Sequence, residues 1–227
     1  MKYEIHGTTM PVVECTLDKG ENILCQLGAM KYMDGGLTMK TRAAGGLGGM
    51  LKRGLTGESL FLNTYTATEG GQRIAFGHTL PGKIIPVDVT AQAIVCQRRA
   101  FLASESTVEL QIAFQRRLST GFFGGEGFIM QRLAGQGLAM VELDGEIIEH
   151  TLAPGQKLKV ETGAVGMFES SVQMDIEMIK GFSNMMFGGE GLFLTTLTGP
   201  GRVWLQTMSI QTLAAELQPY LHTGGKS

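Results

Sequence analysis

The sequence predicts an all-β single domain built from three related β-units in a pseudo-threefold arrangement, with a short C-terminal helix. Three observations carry the prediction. Glycine is abundant and proline is not: 33 Gly against 6 Pro in 227 residues, about 15% glycine where a typical domain has about 7%. Apolar residues alternate with a period near two. A glycine–glutamate segment followed by an apolar run is written three times along the chain.

The composition removes several classes. Charged residues are 18% and hydrophobic residues 43%, which is too apolar and too weakly charged for a disordered chain. The glycines lack a three-residue period, which excludes collagen. A compact body with many tight turns remains, long enough to bury a sizeable core. Lys+Arg number 19 and Asp+Glu 21, a net charge of −2. No basic face is evident, since the densest spots are the pairs Lys52-Arg53, Arg98-Arg99 and Arg116-Arg117, which read as solvated strand ends. Broad, salt-dependent nucleic-acid binding is therefore not expected. Cys15, Cys25 and Cys96 are odd in number and widely spaced, so a disulfide framework is not expected and a reducing interior fits best. The start of the chain has no uninterrupted apolar signal segment, and no apolar run approaches the ~18 residues of a membrane span. A cytoplasmic location without a transmembrane segment is the expectation.

The first unit element is the glycine–glutamate segment: Gly57-Glu58 before Leu60-Phe61-Leu62, Gly125-Glu126 before Phe128-Ile129-Met130, and Gly189-Glu190 before Leu192-Phe193-Leu194. Its glutamates stand 68 and 64 residues apart. The second is a turn-then-strand block, Cys15-Thr16-Leu17-Asp18-Lys19-Gly20, His78-Thr79-Leu80-Pro81-Gly82 and His150-Thr151-Leu152-Ala153-Pro154-Gly155. After each of these glycines, apolar residues fall at Ile23 and Cys25, Ile85 and Val87, and Leu158 and Val160, with an alanine at Ala29, Ala91 and Ala164. The units run over about 1–70, 71–145 and 146–210, followed by a helical tail over 210–227. Sequence recurrence at such a spacing marks units that bury their faces against one another.

Within the units, Val108, Leu110, Ile112 and Phe114, and again Val172, Met174, Ile176 and Met178, alternate with polar or small residues. That is the pattern of half-buried strands. Gly199-Pro200-Gly201 ahead of Val203-Trp204-Leu205 marks a turn. Helix is scarce: Leu213, Leu217 and Leu221 predict one over 210–221 with Pro219 near its end, and a second, weaker helix is written over 46–53.

At Gly188-Gly189-Glu190-Gly191-Leu192-Phe193, Gly199-Pro200-Gly201 and Val203-Trp204-Leu205-Gln206 the sequence resembles the altered-inheritance-of-mitochondria 24 family. Gly28-Ala29-Met30, Met33-Asp34-Gly35, Leu55-Thr56-Gly57-Glu58-Ser59 and Arg99-Ala100-Phe101-Leu102-Ala103 extend the likeness over nearly the whole chain. The resemblance implies three repeats similar to the fold of the tryptophan RNA-binding attenuation protein, a β-sandwich or barrel. It implies no reaction. Eukaryotic relatives are associated with mitochondrial inner-membrane organisation, a role not carried across to a chain without a transit-like start.

Three features invite chemistry. Glu58, Glu126 and Glu190, with Gly57, Gly125 and Gly189 beside them, recur at matching places, as an axial carboxylate cluster for a hard cation would require; the simpler reading is a glutamate bonding the backbone of a glycine turn. Cys15, His78 and His150 align at the turn-then-strand blocks and have the ligand types of a zinc-like site; a semi-exposed strand position that accepts polar residues is the simpler reading. The glycine loop at 45–49 near Lys52 and Arg53 offers amides to an anion, but no Walker pattern follows. Apolar pairs Met50-Leu51, Phe122-Phe123 and Met185-Met186-Phe187 precede the glycine turns as core or as an interface. His6 and His222 fall outside the register. No cofactor and no catalytic set are implied. The functional expectation is a non-enzymatic scaffold or protein-binding protein that self-associates. A small-molecule-binding module using clefts between units is the second reading, and a metal-dependent enzyme on Cys15, His78 and His150 the third.

Overall fold

The computed structural model describes residues 1–43, 61–116, 127–178 and 193–221. Strand β1 (Lys2–His6) precedes three groups of six. The first is β2 (Val12–Leu17), β3 (Asn22–Gln26), β4 (Met30–Met33), β5 (Leu37–Ala43), β6 (Phe61–Ala67) and β7 (Gln72–Phe76). The second is β8 (Gly82–Asp88), β9 (Ile94–Gln97), β10 (Phe101–Glu105), β11 (Val108–Arg116), β12 (Phe128–Gly135) and β13 (Leu138–Asp144). The third is β14 (Ile147–Leu152), β15 (Lys157–Glu161), β16 (Val165–Glu169), β17 (Gln173–Met178), β18 (Phe193–Thr198) and β19 (Gly201–Gln206). Helix α1 (Ile210–Leu217) follows. The chain is all-β, as its alternation and glycine turns predict.

One pairing scheme holds in each group. The sixth strand pairs with the first and the third, and the fifth with the second and the fourth, all antiparallel. Each group is thus two three-stranded layers facing one another, with a core between them. Tyr65 and Phe76 anchor the first core, edge to face at 6.3 Å. Phe101, Leu133 and Leu143 fill the second, and Phe168, Leu197 and Val203 the third. Strands that face the core on one side alternate as predicted: Val13, Cys15 and Leu17 of β2 are buried, and their neighbours are half-exposed.

The pairing groups split near 77–81, so a first unit ending at 70 separates β7 from its partners β2 and β4. The turn-then-strand register also needs correction in its second copy. Gly20 and Gly155 sit at positive φ (+86° and +76°) in the turns before β3 and β15, where a Cβ is strained. Gly82 instead begins β8 and has no positive φ. The residues that match Ile23–Cys25 and Leu158–Val160 in strand pairing are therefore Ile94–Cys96, not Ile85–Val87. The alternating runs are strands β11 and β17. The C-terminal helix stops at Leu217, because Pro219 lacks the N–H that would continue it, and a single 3-10 turn takes Gln218–Tyr220. Ser209 caps its start, accepting from Thr212 N–H. The expected helix over 46–53 lies outside the described residues.

Candidate functional site

Gly57, Glu58, Gly125, Glu126, Gly189 and Glu190 all lie outside the described residues, as do the glycine loop at 45–49, the apolar pairs before the turns, and His222. Cys15, His78 and His150 are described, and they occupy three different settings. Cys15 is buried inside β2, His78 lies in the β7–β8 connection, and His150 is exposed on β14. The described residues form no group of three His, Cys, Asp or Glu able to hold a metal ion. Strand pairing explains the dispersal. Cys15 opposes Ile74 and His150 opposes Val203 at matching places on a first strand, but in the second group that place is Val87, opposite Ala139. His78 precedes the strand altogether. All three cysteines are free and buried, and burial pushes each thiol up to about 12, so none is a ready nucleophile.

The most informative geometry is where groups meet. The second strand of the first group pairs with the third strand of the second, β3 with β10, through Cys25↔Ala103 and Leu24↔Ser104. The same junction recurs as β9 with β16, through Cys96↔Met167 and Val95↔Phe168. These two seams make the two six-stranded sheets. The remaining second strand, β15, and the remaining third strand, β4, are edge strands among the described residues. Exposure follows. Ala103 and Met167 at the seams are fully buried, while Tyr32 at the matching place on β4 is 46% exposed and Met33 beside it 40%.

One side chain per group marks the end of the second strand: Gln26, Gln97 and Glu161. Gln97 crosses its seam, its Nε2 donating to the Val165 carbonyl at 2.6 Å and the Gly163 carbonyl at 3.2 Å. Glu161 has no N–H to donate and turns back, accepting from Gly163 N–H at 2.8 Å. Gln206 adds a donor to the Gly163 carbonyl at 2.9 Å and accepts from Asp144 N–H.

Beside these residues lies a cavity of about 210 Å³, lined from all three groups and α1, with Gln26, His78, Arg99, Glu142, Asp144 and Ile210 among its walls. Glu142 is 2% exposed. Its Oε2 accepts from the His78 backbone N–H at 2.9 Å, and its Oε1 has no partner among the described residues. Burial pushes its carboxyl up to about 7, Asp144 adding to the rise while the His78 N–H and Lys31 oppose it. Burial likewise raises Asp144 to about 6 against the pull of Arg99. His78 is driven down to about 4 by burial, then by Arg99 and Lys31. None of these acidic residues stands out by spacing. The one readable signal is Glu142 inside the apolar run Leu138-Ala139-Met140-Val141-Glu142-Leu143, where a charge with no polar alternation around it reads as buried.

Residues 3–208 match the family described as mitochondrial biogenesis AIM24. The chain belongs to this family. It is 28% identical over 222 residues to an uncharacterised protein of Streptococcus pyogenes serotype M6, across 94% of this chain and 88% of that one. A crystal structure of the protein SPYM3_0169 from Streptococcus pyogenes superposes with a TM-score of 0.78 at 24% identity, covering 97% of this chain and 99% of the other. That likeness shows that the two chains share one fold. No helix among the described residues is long and apolar enough to cross a membrane.

Proposed function

We propose that this AIM24 chain is a non-enzymatic scaffold that self-associates by pairing β15 of one copy with β4 of the next. A single observation carries the reading: the junction between a second and a third strand is made twice within the chain, and one strand of each kind has an edge uncovered by any of the described residues. Such edges carry unpaired N–H and C=O groups and template further pairing. Transferring the register of the two formed seams sets Tyr32 opposite Val160, Met33 opposite Lys159 and Asp34 opposite Leu158. Glu161 then lies opposite Lys31, on the same face of the sheet. Opposite charges favour this pairing, whereas β15 against β15 would set Lys157 and Lys159 against their own copies.

Because a first copy's β15 meets a second copy's β4, the contact is heterologous and grows into a ring or an open filament. The three strand groups are read here as pseudo-threefold repeats, so that each added copy continues one series of similar units. Buried free thiols fit a reducing, cytoplasmic setting. The seam is only four to five residues long, so the association is weak, on the order of micromolar or above. Light scattering across a concentration series tests it. Mass that rises with concentration, and falls back in Lys31→Glu, which sets a carboxylate against Glu161, supports the scaffold; a monomer at every concentration contradicts it.

A further inference from the structure

We propose that the residue ending each second strand and the bulged residue of each third strand form a matched pair that selects which strands meet, and that Glu161 of one copy with Lys31 of the next is the pair that specifies the contact between copies. The inference rests on the self-association proposed above and adds what makes it selective. The chain carries three second strands, β3, β9 and β15, and three third strands, β4, β10 and β16. Both closed seams use one backbone register, so the backbone alone does not distinguish a correct partner strand from a wrong one. Side chains must do so.

All three third strands bulge in one place. Their register against the sixth strand shifts between Met30 and Tyr32, between Phe101 and Ala103, and between Val165 and Met167. The extra residues are Lys31, Leu102 and Gly166. Continuing the two seam registers by one residue sets Gln26 opposite Leu102 and Gln97 opposite Gly166, where the transferred register sets Glu161 opposite Lys31. The closed pairs are uncharged and packed. Leu102 is fully buried, and a Cβ on Gly166 would meet Leu143 Cδ1 at 2.7 Å. Gln97 Nε2 donates to the Val165 and Gly163 carbonyls just before that glycine. Lys31 is exposed on β4.

Wrong pairings fail on this chemistry. Glu161 set against β16 would aim a carboxylate at the Val165 and Gly163 carbonyls, acceptor against acceptor. Lys31 set against β9 would bring an ammonium to the Gln97 amide without a counter-charge. Glu161 with Lys31 gives each charge its opposite at the closest cross-strand distance. Lys159 shares their face but stands diagonal to Lys31, farther away than the directly opposed pair.

A charge exchange read by sedimentation velocity of the full chain at low salt tests the proposal. Lys31→Glu and Glu161→Lys each set like charges opposite one another, and each alone is expected to weaken association at least about threefold. An equimolar mixture of the two variants faces opposite charges at every mixed contact, and is expected to associate within about twofold of the parent. A single chain carrying both substitutions is expected to recover in the same way. Cooperative melts of both variants verify that each is folded. A mixture no tighter than either variant alone overturns the proposal, as does parent-like association of both single variants. A parent that stays monomeric at every concentration contradicts self-association itself and this inference with it, whereas a parent that associates while the exchange fails contradicts only the matched pair.

Discussion

The two formed seams and the third pair of edges are made from strands in matching places, yet they differ in every physical respect. At β10 and β16, residues Phe101–Ser104 and Val165–Phe168 are buried on both faces, as strands central to a six-stranded sheet must be. At β15 exposed and buried residues alternate and at β4 three of the four are exposed, with Lys31, Lys157 and Lys159 turned to solvent. Gln97 ties its seam with two donors, while Glu161 at the corresponding place folds back on its own group. The contrast teaches that one strand scheme, with different side chains, closes into a seam in two places and leaves β4 and β15 as edges among the described residues in the third.

The largest expected effect breaks a formed seam. Met167→Ala empties a fully buried site between β9 and β19 and is expected to cost about 2–5 kcal/mol in urea unfolding. Tyr32→Ala, its counterpart on the open edge, gives up a hydrogen bond to Glu14 and leaves the unfolding midpoint nearly unchanged. Equal losses at the two sites would erase the distinction.

Next comes pH. Folded Glu142 keeps its proton to about pH 7, whereas the unfolded carboxyl releases it in the ordinary carboxylate range. The native state holds the extra proton between those values, so this group's contribution to stability falls as pH rises toward 7. Asp144 acts with the same sign up to about 6. His78, driven down to about 4, acts oppositely: its contribution rises from about pH 4 toward its ordinary range. Glu142→Gln removes the first loss. Chemical denaturation is expected to show the variant more stable by up to about 3 kcal/mol at pH 8, converging with the parent below about pH 5. A constant difference across pH would mean that Glu142 is not the titrating group.

Smaller is Gln97→Glu, which writes the open-edge residue into a formed seam. It loses the donor to the Val165 carbonyl and is expected to cost about 1–3 kcal/mol, while Glu161→Gln keeps an acceptor for Gly163 N–H and stays near neutral. Smallest in stability is Lys159→Ala, whose exposed pair with Glu177 spans 4.0 Å. It leaves the melting temperature unchanged, whereas Lys31→Ala removes the charge opposite Glu161 and weakens association at low salt, which sedimentation velocity would read.

Much of this contrast was legible. Phe101-Leu102-Ala103, Ile94-Val95-Cys96 and Val165-Gly166-Met167-Phe168 are unbroken apolar runs, and Lys157-Leu158-Lys159-Val160-Glu161 alternates. These patterns separate central strands from edges before any coordinates. The glycine excess pointed correctly to turns, of which Gly20 and Gly155 are examples. The second copy of the turn block was misread because the turn before β9 runs Thr90-Ala91-Gln92 without glycine. There Asp88 Oδ1 accepts from Thr90 N–H and holds the turn instead. The cavity was not legible, because Gln26, Arg99, Glu142 and Ile210 are brought together only by long-range pairing and share no spacing. Cys15, His78 and His150 show the reverse error, a shared spacing without a shared place.

The most direct test of the central claim mixes two single variants, Met33→Cys and Lys159→Cys, under mild oxidation. Each chain carries one exposed thiol, and the native thiols are buried, so closure within one chain cannot produce a crosslink. Pairing of β4 with β15 between copies predicts mixed disulfide dimers well above either homodimer on a non-reducing gel. Absence of mixed dimers, or a purely statistical mixture of all three, would contradict it.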